Sequence, residues 1–255
     1  MNKIERSIEL IRKSESLALK MSPEGFHLAF SGGKDSQVIY ELCKMANVKF
    51  SAHMQITTID PPPVLKFIRD KYPAVELIKP EKSFFKWIET KQLPTRQIRW
   101  CCEELKEVGG KNHVVIMGIR KAESAARSKR SEIEEHKNCS YNKIMLNPIL
   151  DWTNADVWTF IRKNIGYWCE LYDQGYSRIG CIGCPMQNAK QRINDFKMFP
   201  RFKYPIVKSI QKNIDKGKYG NFENAEDVFN WWIGNYSAKE YLAQKNQQVI
   251  NFKWI

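Results

Sequence analysis

The densest chemistry in the chain lies in Ser31-Gly32-Gly33-Lys34-Asp35-Ser36. Two adjacent glycines let backbone approach a ligand closely, a lysine supplies a cation, and two serines supply hydroxyl donors. The preceding Phe26-His27-Leu28-Ala29-Phe30 reads as a short buried strand. The following Gln37–Lys44 stretch carries Val38, Ile39 and Leu42 on one face and reads as a helix. Strand, glycine pair and helix start together make a cradle for a phosphate. The free N–H groups of the first helical turn face the anion, helped by roughly half a positive charge from the helix dipole. The spacing differs from the Walker loop, which needs Gly-x-x-x-x-Gly-Lys.

A second constellation is built from cysteines. Cys101 and Cys102 are adjacent, and Cys181-Ile182-Gly183-Cys184 places a glycine between two thiols so that both can turn toward one centre. Four thiolates could hold zinc tetrahedrally or a four-iron cluster. The adjacent pair is awkward for one small ion, whereas a cluster offers separate iron corners. The same residues also fit buried apolar surface at Cys101-Cys102 and a redox pair at Cys181 and Cys184, and spacing alone leaves these readings open.

The elements that must position these residues follow from the pattern of apolar residues. A helix is expected over Ile4–Lys20, strands over Val48–Ile56, Ala74–Ile78, His113–Gly118 and Lys143–Ile149, and helices from the prolines at 61–63 to about Tyr72 and over Ser83–Thr90. His113-Val114-Val115-Ile116-Met117-Gly118 is continuously apolar after its first residue, as a strand covered on both faces should be. Strands alternating with helices predict an α/β fold with a doubly wound, mostly parallel sheet, its ligand at the carboxyl ends of the strands. Beyond Asp151 the pattern changes. Thr153 is placed to cap a helix through Ile161, and after Pro185 only helical periods appear. The expected organisation is a nucleotide-binding domain over 1–184, holding the four cysteines, and a helical C-terminal appendage over 185–255.

With 255 residues and 43% hydrophobic content the chain can bury a sizeable core, and its net charge of +13 suggests an anionic partner, either nucleotide or nucleic acid. A lysine-rich, solubilising surface accounts for the charge equally well. No apolar run reaches 18 residues and Met1–Arg6 lacks the apolar core of a signal peptide, so a cytoplasmic protein with no membrane partner is expected. In that compartment its seven cysteines serve as ligands, reactive thiols or core residues rather than disulfides. Basic and aromatic residues alternate in Phe196-Lys197, Phe199-Pro200-Arg201-Phe202-Lys203-Tyr204, Trp231-Trp232 and Tyr236. They could grip a nucleic-acid backbone. The favoured reading is that Phe202, Val207, Ile210, Phe229 and Trp232 pack a helical core.

The Ser-Gly-Gly-x-Asp-Ser loop resembles the PP-loop of enzymes that bind ATP and split it between the α and β phosphates. The segments Arg99-Trp100-Cys101-Cys102-Glu103-Glu104-Leu105-Lys106, Gly118-Ile119-Arg120 through Arg127, Asn147-Pro148-Ile149-Leu150-Asp151-Trp152-Thr153 and Gly175 through Pro185 resemble the phosphoadenylyl-sulfate (PAPS) and adenylyl-sulfate (APS) reductase family. The two cysteine pairs match its cluster-bearing branch. The resemblance implies an adenine-nucleotide α-hydrolase-like fold and a [4Fe-4S] cluster on Cys101, Cys102, Cys181 and Cys184. It further implies a nucleotide site lined by Ser31, Gly32, Gly33, Lys34, Asp35, Ser36, Gly118, Arg120 and Arg127.

In such a site Lys34, Asp35 and Arg120 are the catalytic candidates. Lys34 neutralises developing charge, Arg120 and Arg127 make bidentate phosphate contacts, and Asp35 holds Mg²⁺ or caps the helix. A solvated basic helix over Arg120–Arg130 is the plainer reading of the two arginines. Asp60 resembles a strand-end position that faces a nucleotide. Arg96 and Arg99 either stabilise a thiolate cluster or lie on the surface.

One departure matters. The reductases attack sulfur with a cysteine in a C-terminal Glu-Cys-Gly-x-His-type segment, whereas the last cysteine here is Cys184, and Cys43, Cys139 and Cys169 lie in no such motif. The chain is also similar to the ATP pyrophosphatase of bacterial DNA phosphorothioation and, more distantly, to PP-loop tRNA thiolases. That likeness implies ATP activation of a DNA or RNA acceptor for sulfur transfer, with a sulfur donor such as a cysteine desulfurase. Sulfonucleotide reduction and a non-catalytic nucleotide or cluster sensor are the other readings.

Overall fold

The computed structural model describes residues 2–136, 141–234 and 237–252, with side chains to 245; Cys139 and Tyr236 lie outside the described residues. Six strands form one sheet in the order β3-β2-β1-β4-β6-β5. They are β1 (Phe26–Ala29), β2 (Phe50–Gln55), β3 (Glu76–Ile78), β4 (Val114–Ile116), β5 (Ile133–Glu135) and β6 (Ile144–Leu146). All pairs are parallel except β5 with β6. The chain walks outward from β1 to β3 and resumes on the other side of β1 with β4. The switch point of the winding therefore falls between β1 and β4, where ligands of open α/β sheets bind.

Helix α1 (Lys3–Met21) starts at a reciprocal cap between Asn2 and Glu5, and α2 (Lys34–Ala46) follows the glycine pair and ends at Asn47 with φ +54°. Strand β4 is buried at every residue, as its continuous apolar run requires. The expected strands are all present. Strand β5 is the addition: Ile-Glu-Glu is too short and too charged to read as a strand, yet those properties suit an exposed edge. Thr153 caps α7 (Asn154–Phe160) with Asp156 in return, and the chain continues through a π-helical turn, Ile161–Ile165. Residues 120–130 are not one helix. They form a 3₁₀ turn at Lys121–Glu123 and a four-residue α6 at Ala125–Ser128. No helix among the described residues is long and apolar enough to cross a membrane.

The chain divides elsewhere than at residue 184. One compact unit comprises 1–56, 62–79 and 106–180, and contains the sheet. The other comprises 57–61, 80–105 and 181–255. It holds α4 (Phe84–Lys91), α5 (Trp100–Leu105), α8 (Ala189–Met198), α9 (Lys203–Ile214), α10 (Ala225–Gly234) and α11 (Ala238–Phe252). The physical reason is a shared apolar core: Phe84, Ile88, Trp100 and Leu105 are buried with Ile206, Ile210, Phe229 and Trp232. Phe202 and Val207 pack against it, so the core reading of the C-terminal aromatics holds. All four cluster-candidate cysteines belong to this helical unit, not to the sheet unit.

Three of the chain's four histidines meet in the sheet unit. His27 stacks on His53 with ring centroids 4.4 Å apart and meets His113 edge-on at 5.8 Å. Burial, followed by the charges of His53, His113 and Lys143, pushes the His27 pKa down to about 3. The folded state therefore holds His27 neutral, while the unfolded chain protonates it below about pH 6.5. Its contribution is fully present above about pH 6.5 and is lost as pH falls toward about 3, amounting to about 2 kcal/mol by pH 5. Urea unfolding of His27→Gln is expected to show a shallower loss of stability between about pH 6.5 and 5 than the native chain. Parallel curves would remove His27 as the cause.

Candidate functional site: a phosphate loop and a four-thiol turn

In the sheet unit, the loop after β1 is held by its own side chains. The Ser36 hydroxyl donates to the Gly33 carbonyl at 2.9 Å and accepts from the Ser31 N–H at 3.3 Å. Gln37 donates to the Gly32 carbonyl and is itself held by Tyr72. Gly32 has φ +70°, and a Cβ there would stand 3.0 Å from Val64 and Ile68, so this position demands glycine. Gly33 is different. Its φ is −75°, and a Cβ would meet only the Ser31 and Tyr172 hydroxyls, at 3.4 and 3.6 Å.

Helix α2 begins without a side-chain cap, since Gly33 occupies the cap position. Asp35 therefore does not cap the helix. Its carboxylate accepts from Arg120 Nε at 2.6 Å and lies 3.4 Å from Lys34 Nζ. Both cations are buried, each about 4% exposed, while the Asp35 side chain they share is half-buried. Arg120 is set by its neighbours: its N–H donates to Glu123 at 3.0 Å, and the guanidinium reaches the Trp152 carbonyl at 3.5 Å. Arg127 pairs with the same Glu123 and stays partly exposed. Gly118 follows β4, and a Cβ there would lie 2.9 Å from Asp35 backbone, so this glycine lets the strand end close on the start of α2. The structure thus brings Ser31–Ser36, Gly118 and Arg120 together, with Arg127 joined through Glu123.

Sequence reading missed one partner of this loop. The Tyr172 hydroxyl accepts the Lys34 N–H at 2.8 Å, and Lys34 Nζ donates to the Ser177 carbonyl at 3.3 Å. The sequence carries no sign of the Tyr172 contact, because 138 residues separate it from Lys34.

In the helical unit the four thiols share one neighbourhood. A hydrogen bond with Cys102 and burial push the Cys101 thiol up, and Cys102, Cys181 and Cys184 add to the effect. Arg99 donates to Cys102 Sγ at 3.2 Å, and Cys181 Sγ lies 3.5 Å from the Thr57 hydroxyl. The Cys181–Cys184 turn is pinned by the Ile182 N–H on the Ile59 carbonyl. Helix α8 grips its other side. Asp195 accepts the Gly183 N–H at 2.9 Å, and Phe196 lies 2.6 Å from where a Gly183 Cβ would stand. Arg192 is 1% exposed, stacks 4.5 Å over Trp232 and stands near enough to Cys184 to feel its charge, while burial pushes its pKa down to about 10. Nothing in the sequence marked Arg192 or Asp195, which read as ordinary residues of a polar helix. Arg96 donates to the Gln187 carbonyl at 3.0 Å. Asp60 is buried and accepts the Thr57 N–H at 2.7 Å, so it shapes its own turn.

Among the described residues no group of three or more His, Cys, Asp or Glu stands close enough to hold a single metal ion. A tetrahedral thiolate zinc needs sulfurs only about 3.8 Å apart, from a Zn–S distance of about 2.3 Å. A cluster with a separate iron for each thiolate asks for a wider set. Two guanidinium groups stand beside these thiols, Arg99 at Cys102 and Arg192 near Cys184.

A family model described as the phosphoadenosine phosphosulfate reductase domain matches residues 25–187. An uncharacterized protein of Methanocaldococcus jannaschii is 29% identical over 237 residues, covering 89% of this chain and 56% of the relative. An adenosine 5'-phosphosulfate reductase of Staphylococcus epidermidis is 31% identical over 126 residues, 46% of this chain and 51% of that protein. The chain spans about half the length of the curated relatives it matches. Among solved structures, Candida glabrata FMN adenylyltransferase superposes with a TM-score of 0.51 at 16% identity, over 71% of this chain and 61% of that one, which shows a shared fold.

Proposed function

Because the chain belongs to the phosphoadenosine phosphosulfate reductase domain family, we propose that it is a PP-loop enzyme that activates an acceptor with ATP for sulfur transfer. The observation that carries the reading is the buried Lys34–Asp35–Arg120 group at the mouth of the glycine loop. Two cations beside the first turn of α2 suit a phosphate chain laid against it. The acceptor oxygen attacks the α-phosphorus of ATP, the α–β bridging bond breaks, and pyrophosphate leaves. A sulfur nucleophile then displaces AMP from the acceptor. Lys34 and Arg120 stabilise charge on the departing pyrophosphate. Asp35 aligns both cations, and its carboxylate keeps lone pairs that would serve a Mg²⁺ ion.

Among the described residues, the thiols of the sheet unit favour this reading over sulfonucleotide reduction. Cys43 and Cys169 are buried, and burial pushes both thiols up, so neither is a ready nucleophile. A nucleic-acid acceptor is supported by the net charge of +13. In the helical unit Cys101, Cys102, Cys181 and Cys184 would ligate a [4Fe-4S] cluster, with Arg99 and Arg192 as its counter-charges; such a group supplies one-electron storage when bound. Anaerobic incubation with ATP, APS or PAPS tests the reading. Pyrophosphate from ATP in the presence of acceptor DNA or RNA is expected, with no thioredoxin-dependent sulfite from APS or PAPS. Rapid sulfite release would establish the reductase instead.

A further inference from the structure

We infer that Tyr172 is a ligand-binding residue of the phosphate loop, donating its hydroxyl proton to an anionic oxygen held over Gly33. The inference rests on the reading of Ser31–Ser36 as a nucleotide phosphate site. A tyrosine hydroxyl has one proton to give and two lone pairs to accept with. One lone pair takes the Lys34 N–H at 2.8 Å. With the oxygen engaged as an acceptor, the proton is the capacity the group has left to use. Burial is the largest influence on its pKa and pushes it up, so the proton stays on at neutral pH. The hydrogen bond received from Lys34 polarises the O–H and strengthens it toward an anion. No described residue accepts that proton.

The position of the hydroxyl says what it would meet. The open side of Gly33 faces the Tyr172 oxygen and the Ser31 hydroxyl, at 3.6 and 3.4 Å from the place of a Cβ. Lys34 Nζ lies 5.8 Å from the Tyr172 ring centroid. The ring is steadied edge-on by Trp158 at 5.0 Å. An oxygen seated over Gly33 would therefore receive the Tyr172 proton beside a buried ammonium, and the Ser31 hydroxyl, which here donates weakly to Ser36 at 3.4 Å, could turn to it as a second donor. That is a set for a tetrahedral anion, either a nucleotide phosphate or the sulfuryl group of a sulfonucleotide.

Calorimetric titration of Tyr172→Phe with ATP, pyrophosphate, APS and adenosine tests this. The expected result is about a tenfold loss of affinity for ATP and pyrophosphate with adenosine binding unchanged and an unaltered melting temperature. A matching loss for APS would assign the sulfuryl group to the same seat, and no loss for APS would assign the seat to phosphate alone. A purely structural role would lower the melting temperature and weaken every ligand alike, and that result, or unchanged ATP affinity, overturns the inference. Failure of the native protein to bind any of the four would instead overturn the nucleotide-site reading. Should the variant not fold, native protein titrated with pyrophosphate must show the red-shifted tyrosine absorption of a phenol donating to an anion, and its absence is equally decisive.

Discussion

Anaerobically purified native protein is expected to carry about four irons per chain, and Cys181→Ser less than about one. The expectation rests on the way the helical unit gathers its thiols. Cys101 feels Cys102, Cys181 and Cys184 together, and Cys181 is fixed through Ile182 to the Ile59 carbonyl. A serine hydroxyl is a poor iron ligand, and the other thiol of the turn, Cys184, is already assigned a place of its own in the ligand set. Because the Gly183 N–H stays bonded to Asp195 and the surrounding core is unchanged, the metal-free fold should survive. Metal analysis and the visible spectrum of the native protein, expected to be brown, read the result directly. Stoichiometric zinc with no iron in the native chain would replace the cluster by an ion. Iron content unaffected by the substitution would release Cys181 from the ligand set.

The second large effect is expected at Gly33. Gly33→Val should abolish binding of ATP, APS and PAPS, by at least about a hundredfold, while the protein remains folded. Its φ of −75° suits any residue, and the added atoms meet only two hydroxyls. Those atoms fill the volume an anion would need. The neighbouring Gly32→Val makes the control. There φ is +70° and the branched side chain drives into Val64 and Ile68, so loss of folding is expected together with loss of binding. Melting curves separate the two variants, and unchanged nucleotide affinity in Gly33→Val would remove the loop from the site.

Much of the fold was legible in the sequence for a simple reason: its signals are contiguous. The glycine loop between a buried strand and an amphipathic helix announces itself, and the continuous apolar run of β4 marks a doubly covered strand. What was hidden depends on contacts across long separations. Tyr172 reaches Lys34 over 138 residues, and Arg120 reaches Asp35 over 85. Arg192 and Asp195 sit in a helix whose composition reads as surface, yet both are buried because the Cys181–Cys184 turn lies against them. The division of the chain was hidden likewise. Phe84, Ile88 and Trp100 carry no mark of which core they join, and only packing with Ile210 and Phe229 decides it.

That division has a consequence for synthesis. The helical unit is assembled from 57–61, 80–105 and 181–255, so its first two pieces leave the ribosome long before the third. Until then Phe84, Ile88 and Trp100 have no apolar partner from α9 or α10. Loop closure over such separations is slow, and the waiting surface is prone to aggregate. A nascent chain stalled near residue 180 is therefore a natural client for a holding chaperone, and release of that hold should coincide with the emergence of α9 and α10.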